Sequence, residues 1–285
     1  MSGVPLTACG TFYPAHRLAW RDIVVIDQQR AGRCIFCGGG PLTGEHLLPC
    51  WLQHVLPSDD PVVQFRQIGK DETDRHEWPK KPFREKTNFA CKRCNNGWMS
   101  DLEARSRPVL EPAIRHEPCT LTERDQAIAA AWAFKTCLVF QATQSTAGPI
   151  APPAHFLHIR RNRRPPPQAA IWIGSHYRAL HDPVNSVYVQ RALTLEPLDD
   201  KQEEDRNSGY LCFLAVGAVS FVVVAHRSRN RAQFTYEGPF DQAIDQLWPN
   251  PEQTRGWPPR LMMDSDLVEA LTLPPSGFTL RMSPP

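Results

Sequence analysis

Two Cys-x-x-Cys pairs, Cys34-Ile35-Phe36-Cys37 and Cys91-Lys92-Arg93-Cys94, constrain the fold of this 285-residue chain more than any other feature. Each pair makes a tight knuckle whose backbone amides support two thiolates. Two knuckles together supply the four ligands of a closed tetrahedral site. Residues 38–90 must then fold between the knuckles, with the metal acting as a staple rather than as a reagent. The chain has nine cysteines. An odd number that includes two such pairs suits thiolate–metal binding in a reducing compartment better than a disulfide framework. The expectation is structural zinc on Cys34, Cys37, Cys91 and Cys94, in a cytoplasmic protein.

Hydrophobic residues at 41% and charged residues at 22% describe a chain able to bury a real core. The 28 prolines gather in connecting stretches and near the C-terminus, which predicts compact units joined by stiff segments. With a net charge of only +2, any affinity for nucleic acid must rest on local basic patches. The start of the chain lacks the basic-then-apolar-then-small order of a secretory signal. The longest apolar run, Tyr210 to Ala225, is broken by Gly217 and Ser220 and is short for a membrane span; it reads as two buried strands. No membrane partner is expected.

Residues 1–32 form a basic arm with a short strand over Asp22–Asp27, and Cys9 there reads as an ordinary thiol. Gly38-Gly39-Gly40 is turn material. Leu42–Leu48 reads as a strand carrying Glu45 and His46, and Trp51–Leu56 as a single helical turn. Val62–Ile68 alternates like a strand, with Arg75–Phe89 returning against it. That arm carries Lys80, Lys81, Arg84 and Lys86 beside the second knuckle, a place for phosphate contacts. Asn95–Arg105 reads as a helix capped by Asn95 or Asn96, with Trp98, Met99 and Leu102 inward and Asp101 and Glu103 exposed. A second short helix begins at Pro108 and ends near Arg115.

Leu121–Gln144 is the longest predicted helix, opened by a capping-box pair, Thr122 and Asp125. Ile128, Ala131, Trp132, Lys135, Leu138 and Val139 give it a 3.6-residue stripe, with Trp132 and Cys137 as core. Pro152–Asn162 is a further helix, followed by Arg163, Arg164 and three prolines. Strands are predicted over 169–174, 186–195, 211–216 and 218–225, with Gly217 turning the last two. Gly238–Leu247 alternates helically, and Gly256-Trp257-Pro258-Pro259 reads as packing material. The fold class is α+β, with helices against an antiparallel sheet. The organisation is an arm (1–32), a two-knuckle unit (33–116) and an α+β unit (117–285).

The order of the other residues around the knuckles carries a resemblance. Cys-x-x-Cys, then Glu-His in "LTGEHLLP", then asparagine and Cys-x-x-Cys-Asn in "TNFACKRCNNGWM", resembles the HNH (His-Me finger) endonucleases of zinc-knuckle type. The resemblance spans roughly residues 33–105. It implies a zinc-stapled ββα-metal finger in which a hairpin and a following helix hold one catalytic Mg2+ or Mn2+, distinct from the zinc. It would make His46 the general base on water, Glu45 and Asn95 the cation ligands, and Asn88 the residue that orients the hairpin. Many relatives carry aspartate at the place of Glu45 and histidine at that of Asn95, and Asn96 is a rival for Asn95.

Such chemistry is coherent: an imidazole with an ordinary pKa of about 6.5 accepts a proton at neutral pH. A divalent cation neutralises charge on the phosphoryl and leaving oxygens. Because residues 45 and 46 of a strand face opposite ways, a bend or bulge is needed for both to serve one site. Lys92 and Arg93 would hold phosphates. The expected partner is DNA, with RNA as the other phosphodiester polymer, and residues 117–285 would engage a target or a partner protein. The competing expectation is a non-catalytic zinc-knuckle module that binds nucleic acid or protein, with Glu45 and His46 structural.

Overall fold

The computed structural model describes residues 16–19, 32–56, 62–67, 75–78, 86–144, 149–176, 184–195, 208–227, 231–236, 242–263 and 278–283. Within them the chain is α+β, its sheets mainly antiparallel. The expected strand over 22–27, Cys9, and the cations Lys80, Lys81 and Arg84 lie outside the described residues.

Strand β1 (Leu42–His46) pairs antiparallel with β2 (Lys86–Cys91), so each knuckle borders one end of a two-stranded hairpin. A 3-10 turn over Cys50–His54 follows β1, as expected for that stretch. Residues 75–89 do not return as one arm, however. Arg75–Trp78 pairs with Val62–Gln67, and that strand joins the large sheet, running parallel to Val184–Leu195. Of the described residues in that span, those from Lys86 onward fold back onto β1.

After Cys91 the chain makes a helical turn (Lys92–Cys94) and a single wide turn over Asn95–Met99, kinked at Gly97 (φ −102, ψ −112). Neither asparagine caps a helix through its side chain. Helix α1 (Ser100–Ile114) then runs unbroken through Pro108 and Pro112, where two helices were expected. Each proline removes one intrahelical hydrogen bond. Burial of Leu102, Val109, Leu110 and Ala113 holds the helix together across both. The exposed Arg107–Glu111 and Arg115–Glu111 pairs (2.9 and 3.2 Å) span the same turns.

Helix α2 (Glu123–Gln144) is the centre of the molecule. Its capping box forms as expected: the Thr122 N–H donates to Asp125 Oδ2 (3.0 Å) and the Asp125 N–H to Thr122 Oγ1 (3.2 Å). The predicted apolar stripe is a correction, because residues 129–142 are buried on every side. The helix lies between the β1–β2 unit and α1 on one side and the sheet on the other, so no face is left for water. Helix α3 (Pro153–Asn162) packs beside it.

The large sheet has eleven strands among the described residues. Its centre is β3 (Ala169–His176), β4 (Val184–Leu195), β5 (Ser208–Val216), β6 (Val219–His226) and β7 (Ile244–Trp248), in the order β4-β5-β6-β3-β7. Every residue of β6 is buried, which explains its unbroken apolar run. Gly217 turns the β5–β6 hairpin with φ +57, and a side chain there would meet Ile114 at 2.7 Å and Leu56 at 2.9 Å. Just beyond, the Ala218 N–H donates to the Ile114 carbonyl (3.0 Å). The tip of the hairpin thus seats on the end of α1.

Residues 244–248 form a strand where a helical pattern was expected; Ala243, Ile244 and Leu247 fit either period over so short a window. Trp257 packs as expected, buried on a ribbon in which Thr254–Trp257 pairs with Cys119–Thr122. One continuous apolar cluster runs from Cys34 to Trp257. Among the described residues no helix is long and apolar enough to cross a membrane.

Candidate metal centre and the groups beside it

The four knuckle cysteines come together. Their sulfurs all lie within 4.8 Å of one another, with Cys37 Sγ and Cys91 Sγ 3.6 Å apart. Zinc bound at about 2.3 Å to four sulfurs sets neighbouring sulfurs about 3.8 Å apart, so this cluster can hold a metal such as zinc. Local backbone geometry builds it. In the first knuckle the Gly38 N–H donates to Cys34 O (2.7 Å), the Cys34 N–H to Gly39 O (2.8 Å) and the Gly39 N–H to Cys37 Sγ (3.4 Å). The Ile35 N–H donates to Phe89 O (3.0 Å), tying this knuckle to β2.

Burial pushes the Cys34 thiol up and that of Cys94 to about 12. At Cys91 burial works in the same direction, but the Cys94 amide and the neighbouring thiols outweigh it and hold the group at about 7. One thiol ionises readily and two resist, so full deprotonation calls for a cation among them. The knuckles also carry an aromatic prop. Phe36 packs edge-on against Trp98 (4.9 Å between centroids) and near Phe89 (6.5 Å).

The hairpin places Glu45 opposite Thr87, His46 opposite Lys86 and Gly44 opposite Asn88. The register slips between Thr43 and Gly44, with Phe89 as the additional residue on β2. This bulge lets Phe89, Ala90 and Cys91 all be buried. It precedes the Glu45–His46 pair instead of dividing it, yet Glu103 acts on both groups and Glu45 acts on Cys50, the partner of His46, so the two side chains border one charged neighbourhood without a bulge between them. Asn88 is exposed, its amide oxygen lying above Gly44.

Glu45 and Asn95 do come together: the Asn95 side-chain amide is near enough to the Glu45 carboxyl to favour its charged form. Burial raises that carboxyl above the usual carboxylate range and the nearby Glu103 adds to the effect, while Asn95, the His46 amide and Lys135 pull the other way. His46 is half-buried and outside the apolar core. Its Nδ1 stands 3.0 Å from Cys50 Sγ, one turn further along the chain. Burial and the Lys86 ammonium push the imidazole below its ordinary value, against Glu103. Burial, Glu45 and Glu103 push the Cys50 thiol up. Both shifts favour a neutral thiol beside a neutral imidazole, not the thiolate–imidazolium pair of a cysteine nucleophile.

Two members of this neighbourhood were missed by sequence reasoning. Glu103, expected at the surface, accepts a 3.0 Å ion pair from Lys135 Nζ, and Lys135 is only 2% exposed. Lys135 falls on the apolar stripe that the sequence predicts for α2. A lysine inside such a stripe is itself a sign of a buried acidic partner. Lys135→Met leaves Glu103 without its counter-charge and beside Glu45. It is expected to cost about 3 kcal/mol, read as a lower urea midpoint, with Lys135→Met/Glu103→Leu recovering most of the loss.

Lys86, Lys92 and Arg93 are exposed around the hairpin and second knuckle. A separate cavity of about 440 Å³ lies between α1 and the start of α2, lined by Arg105, Pro108, Pro112, Cys119, Leu121 and Arg124 among others, away from this group. Comparison of the chain with known protein families, with curated proteins and with solved structures found no match.

Proposed function

We propose that the β1–β2 hairpin and the segment after the second knuckle form a ββα-metal finger. In this reading the chain is an HNH-type endonuclease that hydrolyses phosphodiester bonds in DNA. The observation that carries the reading is the meeting of Glu45 and Asn95. A carboxylate and an amide from the two elements joined by the cysteine cluster are brought close enough for the amide to stabilise the carboxylate, next in sequence to His46. Repulsion between Glu45 and Glu103 makes the spot favourable for a cation.

His46 accepts the proton of a water that attacks phosphorus. The bond from phosphorus to the leaving oxygen breaks, and that oxygen takes a proton from solvent. Glu45 and Asn95 would hold one Mg2+ or Mn2+, which supplies neutralisation of charge on the phosphoryl and leaving oxygens. Asn88, above Gly44, orients the hairpin. Lys86, Lys92 and Arg93 bind flanking phosphates, and Lys135 fixes Glu103 at the border of the site.

The test is incubation of zinc-loaded protein with supercoiled plasmid and a panel of divalent cations. Nicking or linearisation in Mg2+ or Mn2+, and none without added cation, is the expected result; an intact plasmid in every cation sinks the reading.

The His46–Cys50 contact favours a second reading, in which His46 is structural and the unit is a zinc-knuckle binder without catalysis. There the thiol engages Nδ1, one of the two ring nitrogens through which His46 could take a proton. Salt-sensitive DNA binding with no cleavage in any cation is its signature.

A further inference from the structure

Helix α3 ends in more positive charge than its own backbone calls for. Arg160 and Arg161 in the last turn complement the negative end of the helix, but Arg163 and Arg164 lie beyond it. The Arg163 N–H closes the helix on Ile159 O (3.0 Å) with φ +58, the left-handed backbone that glycine or asparagine adopts most readily. An arginine gains nothing from that backbone, so its place is accounted for by its side chain. The guanidinium carbon stands 5.0 Å from the centroid of the Trp98 ring, a cation–π contact.

Trp98 follows Asn95 by three residues and packs on Phe36 of the first knuckle, and Phe36 in turn packs against Phe156 of α3 (5.9 Å). Two ring contacts therefore dock α3 on the cysteine unit, and its arginine-rich end emerges beside α1. Arg105, exposed on α1, is near enough for its charge to act on Arg163. Burial lowers the Arg163 pKa, and Arg160 and Arg105 lower it further, while Asp101 and the Cys94 thiol oppose them. Among the described residues Arg105, Arg160, Arg163 and Arg164 form no ion pair with a carboxylate. Among the described residues Asp101 is the one carboxylate that acts on Arg163, against Arg160 and Arg105; such an excess of like charge from two helices is stabilised by a polyanion laid across them.

We infer that Arg105, Arg160 and Arg164, with Arg163 anchored on Trp98, form a phosphate-contacting face for duplex DNA on the flank of the cysteine unit. The face is made of cations other than Lys86, Lys92 and Arg93. It rests on the nuclease reading only for the choice of DNA as the polyanion. It would grip the backbone without regard to sequence, holding the duplex while the hairpin engages one strand.

The test uses full-length His46→Ala protein and a short duplex DNA, titrated by fluorescence anisotropy over a series of potassium chloride concentrations, with and without Arg160→Ala/Arg164→Ala. Each lost phosphate contact flattens the slope of log K against log [salt] by about 0.9. The expected change is therefore about two in slope and about tenfold in Kd at low salt, with an unchanged thermal midpoint. An unaltered slope and Kd overturn the face, as does a parent protein that does not bind duplex DNA. Because binding is read without cleavage, the two readings fail separately. A chain that binds through these arginines but never cuts sinks the nuclease alone. A chain that cuts while its salt slope ignores them sinks the face alone.

Discussion

Removal of zinc is expected to collapse the hairpin-and-helix unit, and Cys91→Ser or Cys94→Ser to do the same in the presence of zinc. Structural zinc sites of this kind contribute about 10–16 kcal/mol of apparent binding energy in small zinc fingers, against about 5–15 kcal/mol for the whole stability of a typical domain. Here the fall will be smaller than the full binding energy, because Phe36, Phe89 and Trp98 also belong to the continuous apolar cluster. A loss of about 5 kcal/mol is a reasonable scale. What remains after metal loss is a set of buried sulfurs at Cys34, Cys91 and Cys94 with nothing to draw them together. A metal-sensitive dye should titrate about one zinc per chain, and the thermal midpoint should fall sharply on chelation and return on adding zinc. Cys137→Ser, in the core of α2 and away from the cluster, should leave the zinc content alone. A metal-free chain that melts where the loaded one does would refute the staple.

His46→Ala is expected to abolish most plasmid cleavage while changing the fold little. General-base catalysis contributes about 10²- to 10⁴-fold, so single-turnover rates in Mg2+ should fall by that range. Among the described residues the half-buried imidazole bonds Cys50 alone, and it lies outside the core, so stability should move by only about 0.5 kcal/mol. Zinc content should be unchanged, since the ring is not among the clustered ligands. Full cleavage by His46→Ala would remove the general base from the mechanism. Cys50→Ala refines the result. If the thiol merely parks the imidazole, its removal leaves cleavage intact or faster, whereas a structural His46 gives no cleavage in either protein.

What could be read in the sequence was mostly what is local in the chain. The thiolate cluster follows from two spacings. The capping box at Thr122 and Asp125 and the turn at Gly217 follow from chemistry within three residues. The features that escaped depend on partners far away. Pairing of β1 with β2 leaves the 62–67 and 75–78 strands to join a different sheet, and no periodicity within those segments encodes that choice. Prolines at 108 and 112 argue locally for a break, but tertiary burial of α1 overrides them. Lys135 and Glu103, 32 residues apart, become legible as a pair only once α1 and α2 lie side by side. At the candidate site the residue types were readable, and so was the nearness of Glu45 to Asn95 that the knuckles impose. The engagement of His46 with Cys50 was not.

The seating of the β5–β6 hairpin tip against Leu56 and Ile114 has a consequence for heredity. A module that closes on itself can be copied from gene to gene with its borders intact. This one leaves Leu56 and Ile114 facing a turn contributed a hundred residues later, and Phe36 facing a ring on α3. Recombination at residue 116 would hand the recipient a bare apolar wall and strip the donor's sheet of its support. Exchange of the cysteine unit alone is therefore expected to leave both halves with an unmatched apolar surface, so the two can be swapped only together.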